Sequence, residues 1–142
     1  MKHPISEIFV LAMESVKSAV FIVNGRFMIE YANAAASVIF GYSKEELIGT
    51  SVSVLLPPAS RATHTDQMKS YMGSPSHRPM GEGRELSGFT KDGRKILLEV
   101  SLTPMEVDGE SYVFCVCVDL SHKEEAALFY ANLIRERIAS AV

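Results

Sequence analysis

Residues 84–120 carry the most restrictive pattern in this 142-residue sequence, because three β-type segments follow one another with very little chain between them. The segments cover residues 84–91, 95–107 and 111–120, and the turns between them contain Asp92-Gly93 and Asp108-Gly109. Asp-Gly pairs favour the tight turns that join antiparallel strands. The pattern therefore predicts three consecutive antiparallel strands.

The N-terminal half supplies two further strands. Residues 19–23 and 27–32 are β-rich, and Asn24-Gly25 between them predicts a tight hairpin. Together with the three C-terminal strands they give a predicted five-stranded antiparallel sheet. Residues 73–83 contain three glycines and two prolines and are predicted to form a loop.

Helices are predicted around these strands. Ser43 and Glu46 form a capping box, which marks the start of one of them. Apolar spacing and capping residues predict helices at residues 3–16, 34–41, 43–49, 59–72 and 121–142. Five antiparallel strands with short helices grouped on one face form an α+β architecture. Such a sheet tends to leave one cavity between itself and the helices, suited to one small ligand.

The helix over residues 59–72 is polar but has one stripe of larger side chains. His64, Met68, Tyr71 and Met72 recur at helical spacing, so we expect them to turn towards the interior. The alternative for His64 is a partly exposed helix histidine without a ligand.

Composition narrows the class of protein. Hydrophobic residues make up 47% and charged residues 22% of the chain, which is typical of a globular domain and excludes a disordered tail. The net charge of −3 and the lack of a basic stripe argue against nucleic-acid binding.

The longest apolar run, residues 112–118, is too short for a membrane span, and the N-terminus lacks a signal-peptide pattern. Cys115 and Cys117 lie in that run and are predicted to be buried, reduced thiols of a cytoplasmic protein. No catalytic constellation is visible, so an enzyme is not expected.

The ordered set of motifs resembles a PAS sensor domain over roughly residues 15–125. The resemblance rests on Ala32-Asn33-Ala34-Ala35, on FGYSKEELIG at residues 40–49, on Lys91-Asp92-Gly93 and on Val118-Asp119-Leu120-Ser121. It implies the PAS fold over residues 18–120, with an N-terminal flanking helix in residues 1–17 and a C-terminal signalling helix in residues 121–142. It also implies a sensory module of a longer signalling protein, either a histidine kinase or a cyclic-dinucleotide enzyme.

Residues 57–102 are similar, more narrowly, to the haem-binding PAS domains of the FixL oxygen-sensor type. That resemblance implies haem b as cofactor, with His64 as the proximal iron ligand and Met68 on the same wall. It assigns to Arg84 a hydrogen bond to the gas, and to Val100 and Leu102 the lining of the gas side. Oxygen, nitric oxide and carbon monoxide are the implied ligands.

Two readings of the function stay open at this point. In the first, gas binding is relayed through Asp119 and Ser121 to the terminal helix, although these residues also suit a plain helix N-cap. In the second, the domain holds no haem and binds a small metabolite or a flavin, or serves only in dimerisation. Glu82 favours the second reading, and Arg84 then forms a salt bridge at a strand edge. Both readings predict a homodimer through the flanking helices, at residues 5–16 and 124–138.

Overall fold

The computed structural model describes residues 4–73, 78–80 and 86–141. It contains one antiparallel sheet with helices, and the predicted α+β class is confirmed. The strands are β1 Ala19–Asn24, β2 Ile29–Ala32, β3 Arg78–Met80, β4 Leu86–Phe89, β5 Lys95–Val107 and β6 Glu110–Asp119. The helices are α1 Pro4–Ser15, α2 Ala34–Phe40, α3 Lys44–Leu47, α4 Arg61–Gly73 and α5 Ser121–Ala141, with short 3-10 helices at Val52–Leu55 and Pro58–Ser60.

The sheet is built around the long β5–β6 hairpin. Asp108 and Gly109 both adopt positive φ, at 52° and 79°, which is the geometry of the predicted tight turn. β1 pairs antiparallel with β6 and β2 pairs with β1, so the order across the sheet is β2-β1-β6-β5. The fifth position, beside β5, is shared by β3 and β4. The predicted five-stranded antiparallel sheet is therefore confirmed, with β3 as an additional short strand in the position that it shares with β4.

The prediction that residues 73–83 form only a loop is wrong, because β3 lies within them. β4 pairs with the first part of β5, from Lys95 to Leu98, and leaves the edge of β5 open further along. Arg78–Met80 fills that edge by pairing with residues 100–102 of β5. Pro79 is tolerated there because an edge strand can spare one amide donor.

The hairpin between β1 and β2 also differs from the prediction. The predicted second strand begins at residue 27, but β2 begins at Ile29. The Asn24 side-chain oxygen accepts hydrogen bonds from the amides of Arg26 and Met28, at 2.9 and 3.2 Å. This bonding lengthens the turn and places Phe27 in the left-handed region, at φ 66°. The local Asn side chain thus outcompetes the tighter Asn-Gly turn.

One face of the sheet carries the core. Alternate residues of β1 and β6 point to this face, where α2 and the 3-10 helices cover them. The rings of Phe21 on β1 and Phe40 on α2 meet edge to face, with centroids 5.8 Å apart. The predicted capping box of Ser43 and Glu46 is present at the start of α3. The helices therefore enclose the space above this face of the sheet.

Candidate functional site

A cavity of about 680 Å³ lies between the sheet and α4. This volume falls in the range of roughly 300–1,000 Å³ found for small-molecule and cofactor sites. Its floor is formed by alternate residues of the three central strands, which point to one face because strand side chains alternate. These residues are Phe21, Val23, Leu98, Val100, Leu102, Val113, Cys115 and Cys117. The cavity therefore has an apolar floor.

The opposite wall is α4, and it presents the predicted stripe. His64, Met68, Tyr71 and Met72 all line the cavity, so their predicted inward direction is confirmed. Polar side chains also line the cavity, and they come from several elements. They are Asn24, Ser60, Thr63, Gln67 and Ser87. The cavity thus combines an apolar floor with a more polar rim.

His64 is an ionisable group on this wall. Its Nδ1 atom is buried and has no hydrogen-bond partner among the described residues. Burial lowers the pKa of the imidazole below its usual value of 6.5, so the ring is neutral at neutral pH. A neutral imidazole is the form that binds a metal ion. The structure therefore places a neutral imidazole on the cavity wall, with its Nδ1 enclosed by protein atoms.

This lowered pKa makes stability pH-dependent. Below about pH 6.5 the unfolded chain protonates His64 more readily than the folded chain does, so acidification favours unfolding until the folded-state pKa is passed. We expect the urea midpoint of the ligand-free domain to fall between about pH 7.5 and 5.5, and to fall less in His64→Gln. An identical pH dependence in the two proteins would contradict this expectation, because the other histidines are shared.

The structure brings together four of the five predicted cofactor-binding residues. His64 and Met68 lie on the α4 wall, and Val100 and Leu102 lie on the β5 floor of the same cavity. Arg84 lies outside the described residues, as does Glu82. The role of Arg84 therefore stays a prediction.

The sequence did not predict that the two cysteines line the cavity. Both are buried free thiols, as predicted, but they also form part of the cavity floor. Burial raises the pKa of Cys115 to about 12 and also raises that of Cys117, so both stay protonated at neutral pH. No group of three or more His, Cys, Asp or Glu side chains in the described part of the chain could hold a metal ion. The alternation of residues on β6 gave the signal that both thiols share one face.

Phe27 is a second lining residue that the sequence did not indicate. Its left-handed backbone is uncommon for an aromatic residue, and its side chain lines the cavity. The sequence predicted a regular strand from residue 27, in which alternation alone would set the face to which Phe27 points. In the structure Phe27 lies in the turn before β2, and the turn sets the direction of its side chain.

Asp119 and Ser121 form a bonded joint between β6 and α5. Asp119 Oδ1 accepts hydrogen bonds from the Ser121 amide at 3.0 Å and from the Ser121 hydroxyl at 2.5 Å. Between them, the Leu120 amide donates to the Leu97 carbonyl at 3.0 Å, which ties the joint to β5. The start of α5 is thus fixed to the two strands that form much of the cavity floor.

An antiparallel sheet that encloses a cavity beneath short helices defines a class of α+β domain suited to a small ligand. The fold matches the PAS domain of a Colwellia psychrerythraea protein with a TM-score of 0.70 at 21% identity, over 83% of this chain and 98% of that one. The sequence matches the PAS domain family over residues 17–122. The chain therefore belongs to the PAS domain family, whose members are sensory and regulatory modules.

Two curated proteins show similarity over most of this chain. The sensor protein FixL of Bradyrhizobium diazoefficiens is 26% identical over 113 residues, which are 80% of this chain and 22% of FixL. The oxygen sensor protein DosP of Escherichia coli is 29% identical over 114 residues, which are 80% of this chain and 14% of DosP. The chain thus spans less than a quarter of either relative. Across the residues that the structure describes, no helix is long and apolar enough to cross a membrane.

Proposed function

We propose that this chain is a haem-binding PAS domain that senses a diatomic gas for a longer, cytoplasmic signalling protein. The observation that carries the proposal is the neutral imidazole of His64, which lines the wall of an apolar-floored cavity. The sensing unit is assigned to residues 18–120, between the flanking segments 1–17 and 121–142. Similarity to FixL and to DosP, which is named an oxygen sensor, supports the proposal.

The residues of the cavity fit this cofactor. His64 supplies a neutral imidazole, the common anchor of iron in oxygen-binding haem proteins. Val100 and Leu102 supply apolar surface that excludes water from the opposite side. Arg84 would donate hydrogen bonds to the gas from its position before β4. Haem, when bound, supplies an iron centre that binds diatomic gases.

The Asp119–Ser121 joint would pass the signal on. Because it connects β6 to α5 and is bonded to β5 through Leu120, a shift of the floor strands changes the direction in which α5 leaves the domain. The effector would be a domain of the same chain, in a histidine kinase or a cyclic-dinucleotide enzyme. FixL is named a sensor protein, which is consistent with such an arrangement.

A second candidate function is a haem-free domain that binds a small metabolite or a flavin. The polar side chains of Thr63, Gln67 and Ser87 on the cavity wall favour it, because they offer hydrogen bonds that a purely apolar ligand does not use. In this case the His64 imidazole would bind a polar atom of the metabolite.

Titration of the purified 142-residue chain with hemin separates the two candidates. We expect a sharp Soret band at one hemin per chain, which shifts on reduction with dithionite and again on addition of carbon monoxide. A broad spectrum identical to that of free hemin, without either shift, would contradict haem binding and favour the metabolite reading.

We further propose a homodimer through the flanking helices. Ile8 and Leu11 on α1 are 65% and 71% exposed, and a stripe on α5 leaves Ile134 and Ile138 58% and 63% exposed. Apolar side chains this exposed on two helices favour association with a second copy.

Sedimentation should show a dimer for the wild type and a monomer for Ile134→Glu. Asn132→Glu, on another face of α5, is the control and should stay dimeric. A wild-type monomer at high concentration would contradict this prediction.

A further inference from the structure

One carboxylate joins four elements at the N-terminal side of the domain. Glu14, in the last turn of α1, accepts a hydrogen bond from the Tyr31 hydroxyl of β2 at 2.9 Å. The same oxygen accepts from Lys44 Nζ of α3 at 2.6 Å, and the other oxygen accepts from the Ala34 amide of α2 at 3.0 Å. We call this set of contacts the Glu14 latch.

The negative charge of Glu14 is placed to stabilise α2 rather than α1. A negative charge in the last turn of a helix opposes the helix dipole, whereas a negative charge at a first turn complements it. Glu14 lies in the last turn of α1 but bonds the amide of Ala34, the first residue of α2. Asn33 meanwhile bonds the Ala36 amide, so the two side chains satisfy different amides of the α2 N-terminus. Removal of Glu14 therefore takes away an unfavourable charge at the end of α1, so the main loss is the attachment of α1 to the domain.

Charge favours the latched arrangement. Burial by itself would raise the pKa of Glu14, but hydrogen bonds from Lys44 and Tyr31 outweigh it and hold that pKa below its usual value. Burial, together with the same contact, raises the pKa of Tyr31 above its usual value, so its hydroxyl stays a donor. At neutral pH the latch is thus a charge-assisted network, the stronger kind of hydrogen bonding.

The rest of α1 is weakly attached. Ile8, Val10 and Leu11 are 65%, 43% and 71% exposed, so this part of the helix buries little apolar surface. Phe9 contacts the ring of Tyr31, with centroids 6.1 Å apart. A segment with few buried apolar contacts opens at low free-energy cost. Within one chain, the latch therefore supplies a large part of the attachment of α1 to the domain.

The other end of α2 lies at the cavity. Phe40, the last residue of α2, lines the cavity, while Ala34, its first residue, bonds Glu14. The helix has seven residues, so these two ends are only about 10 Å apart at 1.5 Å per residue. A short rigid helix moves as one body, so displacement of Phe40 by a cavity occupant also displaces the Ala34 amide.

We propose that the Glu14 latch is a conformational switch: α1 is docked while Glu14 bonds Ala34, Tyr31 and Lys44, and it is released when α2 moves. Asn33 acts as the pivot, since its amide nitrogen donates hydrogen bonds to the carbonyls of Met13 and Ser18 at 2.9 and 3.0 Å in the docked state. The domain then has an N-terminal output in addition to α5. This inference does not depend on which ligand the cavity binds.

Hydrogen exchange of the full 142-residue chain tests the latch. In Glu14→Ala we expect the amides of residues 7–13 to exchange at least about tenfold faster, because hydrogen bonds to charged groups are lost. Exchange in β6 should be unchanged and serves as the internal reference. Glu7→Ala is the matched control, since it removes the same side chain from the exposed first turn of α1, and it should change exchange less than about threefold. Unchanged exchange of α1 in Glu14→Ala, or an equal increase in β6, would overturn the proposal.

A double-mutant cycle tests the connection to the cavity. Phe40→Leu alters the cavity end of α2 and should speed exchange of α1 relative to β6. In the Glu14→Ala background the same change should add nothing, because the latch is already lost. Additive effects of the two substitutions on α1 would overturn the coupling. Neither result depends on hemin, so failure of haem binding and failure of the latch are observed separately.

Discussion

Replacement of His64 by alanine is expected to abolish haem uptake: hemin added to the variant should give the broad spectrum of free hemin where the wild type gives a Soret band. The imidazole is the group we assign to the iron, and its Nδ1 is buried without a partner among the described residues. Loss of a partner that merely orients a metal ligand weakens metal binding about 10–100-fold, so loss of the ligand should weaken it by more than about 100-fold.

Two controls separate ligation from folding. His122→Ala removes the same side chain at the start of α5 and should leave the Soret band intact. Addition of free imidazole to His64→Ala should restore a Soret band, because the space left by the side chain can accept the small molecule. His64→Ala should also unfold at a urea concentration no lower than the wild type at pH 7.5, since it removes an unsatisfied buried nitrogen.

A Soret band of wild-type intensity in His64→Ala would show that another residue holds the iron. Loss of the band without rescue by imidazole, together with a lower urea midpoint, would show that the side chain supports the fold instead. The first result would assign the iron to another residue and keep haem as the cofactor, whereas the second would leave His64 without a shown role as the iron ligand.

Local patterns predicted the C-terminal strands well. The bounds of β5 agree with the predicted residues 95–107, because alternation and two Asp-Gly turns fix both ends within the segment itself. β3 was missed because its pairing depends on an open edge of β5, which lies about twenty residues further along the chain. Its proline and the surrounding glycines are typical of a loop, and only the non-local partner makes it a strand.

In the candidate site, too, the features that local sequence sets could be predicted, and those that distant contacts set could not. Helical spacing predicted that His64 and Met68 face inward, because that spacing is a property of α4 alone. Cys115 lies on a cavity floor rather than in a filled core because α4 is held at a distance above the sheet. No local sequence pattern predicts that distance. The Glu14 latch was likewise invisible, because its partners Tyr31 and Lys44 are 17 and 30 residues away.

Asn33→Ala is expected to be among the most destabilising single substitutions in this domain. Asn33 is fully buried, and its side-chain oxygen accepts from the amides of Val20 and Ala36 at 2.9 and 3.0 Å. Its nitrogen donates to the carbonyls of Met13 and Ser18. Alanine would leave all four backbone groups without this partner, where each buried unsatisfied group costs about 1–3 kcal/mol.

We therefore expect the free energy of unfolding, measured by urea titration, to fall by about 3 kcal/mol or more in Asn33→Ala. Asn132→Ala, on the exposed side of α5, is the matched control and should change stability by less than about 0.5 kcal/mol. Asn33→Asp keeps the oxygen that caps α2 but turns a carboxylate towards the carbonyls of Met13 and Ser18, so it should be destabilised as well. A stable Asn33→Asp would mean that capping of α2 is the main contribution. A loss below about 1 kcal/mol in Asn33→Ala would mean that water replaces the side chain, and that Asn33 is not the pivot on which α1 depends.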